Sequence, residues 1–208
     1  ALQDQIGNSV SVLTEEDLEQ AGDLQLTEVL SRLPGVSLSQ NGPQGGTADV
    51  RIRGARGRYI NVYIDGILVT DPSGTVIAFE DFGGLTTGSV RRIEVLRGSQ
   101  SALYGGSAVG GVINITTVAG EDAPEGTSQT ATLEAGSYNT YALSYGLTQR
   151  TGPLTLSLGL DHTRSDGFSA AEENVGNTED DGFDRSRLSF GATYEVTDAL
   201  TIGFNGFV

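Results

Sequence analysis

The sequence predicts an α+β domain followed by antiparallel β-strands of the barrel kind, too few to close a barrel. Three observations carry this. Over residues 1–119, short helix-like and strand-like segments are mixed. Over residues 127–208, apolar residues fall on every second position, the period of a strand with two unlike faces. The connections in that second part are short at one end and long at the other, a barrel habit.

The elements follow in chain order. Ile6 to Leu13 reads as a strand. Thr14 is a good helix N-cap, and Asp17 three residues on approximates a capping box for the short helix EEDLEQA. Leu26, Val29, Leu30 and Leu33 recur at helical spacing, so a second helix spans about 25–33 and stops at Pro34-Gly35. Strand-like pieces come next: VSLS at 36–39, DVRIRG at 49–54, YINVYIDG at 59–66 and RRIEVLRG at 91–98. QNGPQGGT and TDPSGT between them are turn-rich loops. Residues 120–126 form a linker.

The second part reads as a β-meander of five strands. Tyr141, Leu143, Tyr145 and Leu147 alternate with small residues, and Leu154, Leu156, Leu158 and Leu160 with Thr155, Ser157, Gly159 and Asp161. Leu188 to Val196 and Leu200 to Phe204 repeat the pattern. One side is greasy and the other small or polar. In a soluble sandwich the greasy side faces a core; in an outer-membrane barrel it faces lipid. Periodicity fits both. The tight turns at 150–152 and 197–198 and the long polar loop at 165–184 favour the barrel, with the long loop outside. A transmembrane barrel needs about eight strands or more. The chain is therefore expected to be a piece of a larger one, or a subunit whose missing strands another chain supplies. The competing reading is a soluble secreted β-rich binding module.

Composition narrows the function classes. The net charge is −15 and all twelve basic residues are Arg, which disfavours nucleic acid as a partner. No Cys is present, so disulfides and thiolate metal sites are excluded. No run of about 18 apolar residues occurs, which excludes a transmembrane helix but not a transmembrane barrel. The run RIEVLRGSQSALYGGSAVGGVINITT at 92–117 is rich in Gly, Ser and Ala. It matches neither a Walker loop nor G-x-G-x-x-G. Small residues there let backbones turn sharply or pack closely. The sequence holds no nucleophile–base pair, HExxH motif or Cys/His metal set, so no enzyme is expected. The single His162 follows the outward phase near a strand end, an interface position.

That run resembles the plug signature of TonB-dependent outer-membrane receptors. So do LTEVLSRLPGVSLS at 26–39, DVRIRG at 49–54 and NVYIDGILV at 61–69, in the family's order. Within the family, QNGPQGG, its spacing to RIRG, and the loop ending EDDGF are most similar to vitamin B12 receptors. The resemblance implies a plug domain over 1–119, seated in a barrel whose first five strands lie in 127–208. It implies a bacterial outer-membrane receptor that imports a scarce, large nutrient complex, cobalamin or a ferric siderophore, energised by an inner-membrane TonB-type protein. The opening ALQDQIGNSVSVLT is similar to the stretch that follows the family's TonB box. Outer-membrane lipid would surround the barrel.

The same resemblance implies candidate sites. Arg53 and Arg97 would lock the plug to acidic residues of the barrel wall, since an unpaired buried guanidinium is costly; otherwise each is an exposed strand-end Arg. Substrate contacts are expected from the loops at 40–47 and 70–75, through Asn41, Gln44, Asp71 and Ser73. The long loop carries seven carboxylates between Asp166 and Asp184. Clustered oxygens suit Ca²⁺. Asp166, Glu179 and Asp181 are the expected ligands, with Asp180 and Asp184 as alternates. The other reading is a solvated acidic loop.

Overall fold

The computed structural model describes residues 9–22, 26–40, 48–70, 85–117, 123–169 and 179–208. Strand β1 (Ser9–Thr14) runs directly into helix α1 (Glu15–Ala21). The expected capping box is complete. Asp17 Oδ2 accepts from the Thr14 backbone N–H at 2.8 Å, and Thr14 Oγ1 accepts from the Asp17 N–H at 3.3 Å. Gly22 then ends α1 in the left-handed conformation at φ 66°.

The hydrogen bonds from the Thr14 backbone and then its hydroxyl hold the Asp17 carboxyl below its ordinary value. A depressed folded value stabilises α1 above the unfolded carboxylate range. That contribution is lost as pH falls through the folded value. Thr14→Ala should cost about 1 kcal/mol of local stability. Amide exchange in α1 of the full receptor should then accelerate about fivefold; unchanged exchange would remove the cap from the account.

Helix α2 (Leu26–Ser31) is shorter than the apolar spacing suggests. Arg32 N–H already bonds Val29 O and Leu33 N–H bonds Leu30 O, so the last turn tightens to i→i−3 bonding. Pro34 imposes this, because it lacks an N–H and pushes Leu33 out of helical geometry. Strands β2 (Val36–Gln40) and β3 (Ala48–Ile52) pair as an antiparallel hairpin. The strand expected to reach residue 54 stops at Ile52, because Arg53 (φ 51°) and Gly54 (φ 80°) turn the chain.

A five-stranded sheet forms the centre of this part. Its members are β1, β4 (Ile60–Ile64), β5 (Ile67–Leu68), β6 (Arg92–Arg97) and β7 (Gly111–Thr116). The order is β1-β6-β7-β4-β5, with only β7 and β4 parallel. Strand β5 departs from the sequence reading: Asp65 (φ 49°) and Gly66 (φ 80°) fold the end of YINVYIDG back as a hairpin. A short helix, α3 (Ser101–Tyr104), also interrupts the small-residue run. Ile60, Val62 and Ile64 of β4, Ile93 and Val95 of β6, and Ile113 and Ile115 of β7 belong to one buried core. Leu18 of α1 and Leu26, Val29 and Leu30 of α2 complete it. Each such buried aliphatic side chain contributes about 1.5–3 kcal/mol.

The second sheet is β8 (Gly126–Gly136), β9 (Thr140–Thr151), β10 (Leu154–Ser165), β11 (Phe183–Thr197) and β12 (Leu200–Phe207). They pair antiparallel in sequence order, and the sheet is open. The turn between β8 and β9 has Tyr138 at φ 58° and Asn139 at φ 50°, left-handed backbone of the kind that tight hairpins use. Exposure decides which way the faces point. Leu156, Leu160 and Phe204 are 44 %, 45 % and 68 % exposed, whereas Thr155 and Asp161 are 2 % and 3 %. The greasy face looks outward and the small polar face is covered. A sandwich core would require the reverse.

Candidate functional site at the contact of the two sheets

The covered polar face of the second sheet meets a single-turn segment of the first part, residues 86–91. Thr86 Oγ1 and Ser144 Oγ share a buried hydrogen bond of 2.6 Å. Arg91 donates to Thr148 Oγ1 at 3.1 Å and lies 3.7 Å from the Glu15 carboxylate. Gly88 permits the approach, since a Cβ there would lie 3.1 Å from the Thr132 side chain. Asp161 faces Ser89, Ser144 and Thr86, and its cross-strand neighbour Arg187 attracts it. Neither Asp161 oxygen has a hydrogen bond of standard geometry among the described residues.

A second contact lies at the other edge. Asn205 of β12 donates to the Asp65 carbonyl at 2.6 Å. The Asp65 carboxylate accepts from Thr117 N–H at 2.7 Å and from Thr117 Oγ1 at 2.6 Å. Asp65 therefore joins the β4–β5 turn to the strand that leads out toward the wall. Phe207 packs on the main core, and the Arg187 guanidinium lies 3.8 Å above its ring. Between α1 and β8 a cavity of about 290 Å³ remains, lined by Glu15, Glu19, Thr130, Thr132 and Glu134 among others.

The small-residue run works mainly within the first part. A Cβ at Gly110 would lie 2.5 Å from Ala55 Cβ, and one at Gly111 would lie 2.5 Å from Leu96 O. At Gly105 and Gly106 it would meet nothing within 4 Å. Close approach is thus needed at 110–111, while direct contact with the wall falls to Gly88, outside the run.

The predicted site residues divide three ways. Arg53 and Arg97 are brought together beside Gly35, with Arg97 buried and Arg53 exposed. Arg97 donates to Ser11 Oγ at 2.7 Å. Burial, and after it the charge of Arg53, lowers the Arg97 guanidinium from its ordinary value. Among the described residues no carboxylate lies within ion-pair distance of either. Asn41, Gln44, Asp71 and Ser73 lie outside the described residues. Asp166, Glu179 and Asp181 are described, but no group of three carboxylates that could hold a metal forms among the described residues. Asp166 Oδ2 instead accepts from Asn139 Nδ2 at 2.7 Å. Sequence reasoning missed Thr86, Ser144, Asp161 and Arg187 as contact residues. Only their place on the polar phase of the strands, or in a turn, could have signalled them.

Comparison with known proteins agrees with this architecture. The family model for the TonB-dependent receptor plug domain matches residues 3–112. The chain is 32 % identical over 201 residues to the vitamin B12 transporter BtuB of Photobacterium profundum, covering 95 % of this chain and 32 % of that protein. The siderophore receptor PirA from Acinetobacter baumannii superposes with a TM-score of 0.76 at 22 % identity, covering 99 % of this chain and 32 % of PirA. The ferric yersiniabactin uptake receptor FyuA from Yersinia pestis gives 0.68 at 23 % identity, covering 96 % and 31 %. At such identities the two structures speak for the fold alone. The chain spans about a third of the length of the relatives it matches. With its plug core and an open, outward-greasy part of a barrel wall, the chain belongs to the TonB-dependent receptor plug family of the bacterial outer membrane.

Proposed function

We propose that the whole receptor imports a scarce, large nutrient complex of the cobalamin or ferric-siderophore type, driven by a TonB-type protein of the inner membrane. The observation that carries this is the chemistry of the contact between plug and wall. It is made mainly of hydroxyls, an amide and single guanidinium contacts, with Phe207 of the wall packed on the plug core beside them. Each such bond is worth about 0.5–1.5 kcal/mol net. A plug held this way seals the lumen, yet its bonds separate one by one when the chain is pulled. Arg53 and Arg97 fit the same reading. Two adjacent guanidiniums need carboxylates, and the rest of the wall would supply them.

The identity with a vitamin B12 transporter favours cobalamin over a siderophore. No catalytic role enters, since the relatives named above are a transporter and receptors.

Substrate would rest on the loops at 40–47 and 70–75, with Asn41, Gln44, Asp71 and Ser73 as polar contacts. Both loops in the full receptor should be replaced by Gly/Ser segments and cobalamin and ferric-siderophore binding measured. Affinity for one of the two should fall at least about tenfold, about 1.4 kcal/mol. Unchanged affinity for both removes the loops from the site. Uptake that persists without the TonB-type partner removes the energy coupling.

A further inference from the structure

We propose that Arg150 is a mechanical anchor. It fastens the connection from plug to wall onto the wall's inner face, so that a pull on the plug stops there and spares the first wall strand, β8. This role rests on the reading that the plug is pulled during transport. The starting observation is where the guanidinium sits. Arg150 is on the covered phase of β9, shared with Ser144 and Thr148. It is in register with Gly126, the first residue of β8, and with Thr155 of β10. Its side chain is 20 % exposed.

Several bonds gather at this point. Arg150 Nη2 donates to Glu195 Oε1 of β11 at 2.8 Å, and Nη1 donates to the Ala123 carbonyl at 3.1 Å. The Gly152 N–H, in the turn that follows β9, donates to Glu125 Oε1 at 3.0 Å. The other Glu125 oxygen lies 4.0 Å from Arg150 Nε. Glu195 is itself held, its N–H bonding the Pro153 carbonyl at 2.9 Å. The guanidinium thus bridges β9, β11 and the incoming chain. Arginine suits the place because its planar fork donates in two directions at once, whereas a lysine ammonium is a compact point charge. Hydrogen bonds from a charged donor are also about twice as strong as neutral ones.

Position along the chain gives the anchor its consequence. Ala123 and Glu125 come just before Gly126, and the Gly126–Arg150 pair is the first of the β8–β9 ladder. A load carried along the chain from the plug meets the anchor before it meets that pair. Without the anchor it would act on the end of β8 itself, where ladder bonds can open one after another. The plug end of the same connection is fastened too, since Thr117 is tied to the Asp65 carboxylate through its N–H and its hydroxyl. The connection is therefore held at both ends, on the plug by Asp65 and on the wall by Arg150.

The test pulls the full receptor, held in a supported bilayer, by its N-terminal end at constant force. Once the plug has unravelled, the parent should hold at Ala123. Arg150→Met should release this hold about tenfold faster, as expected for losing charge-assisted hydrogen bonds. The freed chain should lengthen by about 10 Å, the reach of the residues from 123 to 126. Glu125→Ala alters a side chain that is 67 % exposed, so it leaves the fold alone, and it should speed release about threefold. Arg150→Lys should fall between the parent and Arg150→Met. In the unloaded receptor, amide exchange in Arg150→Met should quicken at 126–128 and stay unchanged through the middle of β9 and β10. An unchanged release rate in either Arg150→Met or Glu125→Ala would overturn the proposal. So would equal quickening of exchange along all of β9 and β10, which would make Arg150 a general stabiliser of the wall. None of these measurements reads uptake, so a receptor that holds its plug this way yet imports no nutrient counts only against the transport reading.

Discussion

Gly111→Ala should unseat the plug's central sheet. The added Cβ would lie 2.5 Å from Leu96 O and 3.0 Å from Ile52 Cδ1. The first of these is backbone, held in the β6–β7 ladder at the Leu96–Val112 and Arg97–Gly111 pairs, so it cannot step aside as a flexible side chain could. Overpacking of this kind costs about 1–3 kcal/mol or more. The plug of the full receptor should then be cleaved faster in limited proteolysis. Gly106→Ala is the control, because nothing lies within 4 Å of its Cβ. Its effect should stay within about 0.5 kcal/mol. Equal proteolysis of the two variants would show that the small-residue run tolerates side chains at 111 after all.

Arg187→Met should open the seal between plug and wall. Asp161 is 3 % exposed and faces Thr86, Ser89 and Ser144, with Arg187 as the cation that attracts it. Asp161 and Arg187 are buried, oppositely charged neighbours across β10 and β11, and taking the cation away leaves a buried polar group without its electrostatic partner, at a cost of about 1–3 kcal/mol. Two responses are open to the protein. Either water enters to solvate Asp161, or the 86–89 turn lifts from the wall. Both make the lumen leak. Cells carrying the variant should become sensitive to large antibiotics that the outer membrane normally excludes, and Arg187→Lys should restore much of the barrier. The double variant Asp161→Asn/Arg187→Met should also recover, since no lone charge is left. A single variant as tight as the parent would show that the pair does not hold the contact.

Much of this protein is legible without coordinates where the determining interactions are local. The Thr14–Asp17 box spans three positions, and the structure forms it as the sequence predicts. The alternation in β9 to β12 needs only a pleated backbone, and the five strands pair in chain order. The plug motifs, read in order, lead to the family that the comparison shows. Local readings fail where the chain reverses unexpectedly. Arg53, Asp65, Tyr138 and Asn139 take positive φ without being glycine, and the two at 53 and 65 shorten strands that the sequence would prolong.

The tertiary structure decided what periodicity leaves equal. A strand with Leu154, Leu156, Leu158 and Leu160 on one side has the same sequence pattern whether those leucines face a core or lipid. Only the placement of the plug against Ser144, Thr148 and Asp161 turns them outward. The contact pairs Thr86–Ser144, Arg91–Thr148 and Asp65–Asn205 join residues 58, 57 and 140 positions apart. No local propensity encodes such distances, because each bond is modest and forms only after both sheets have set their own registers.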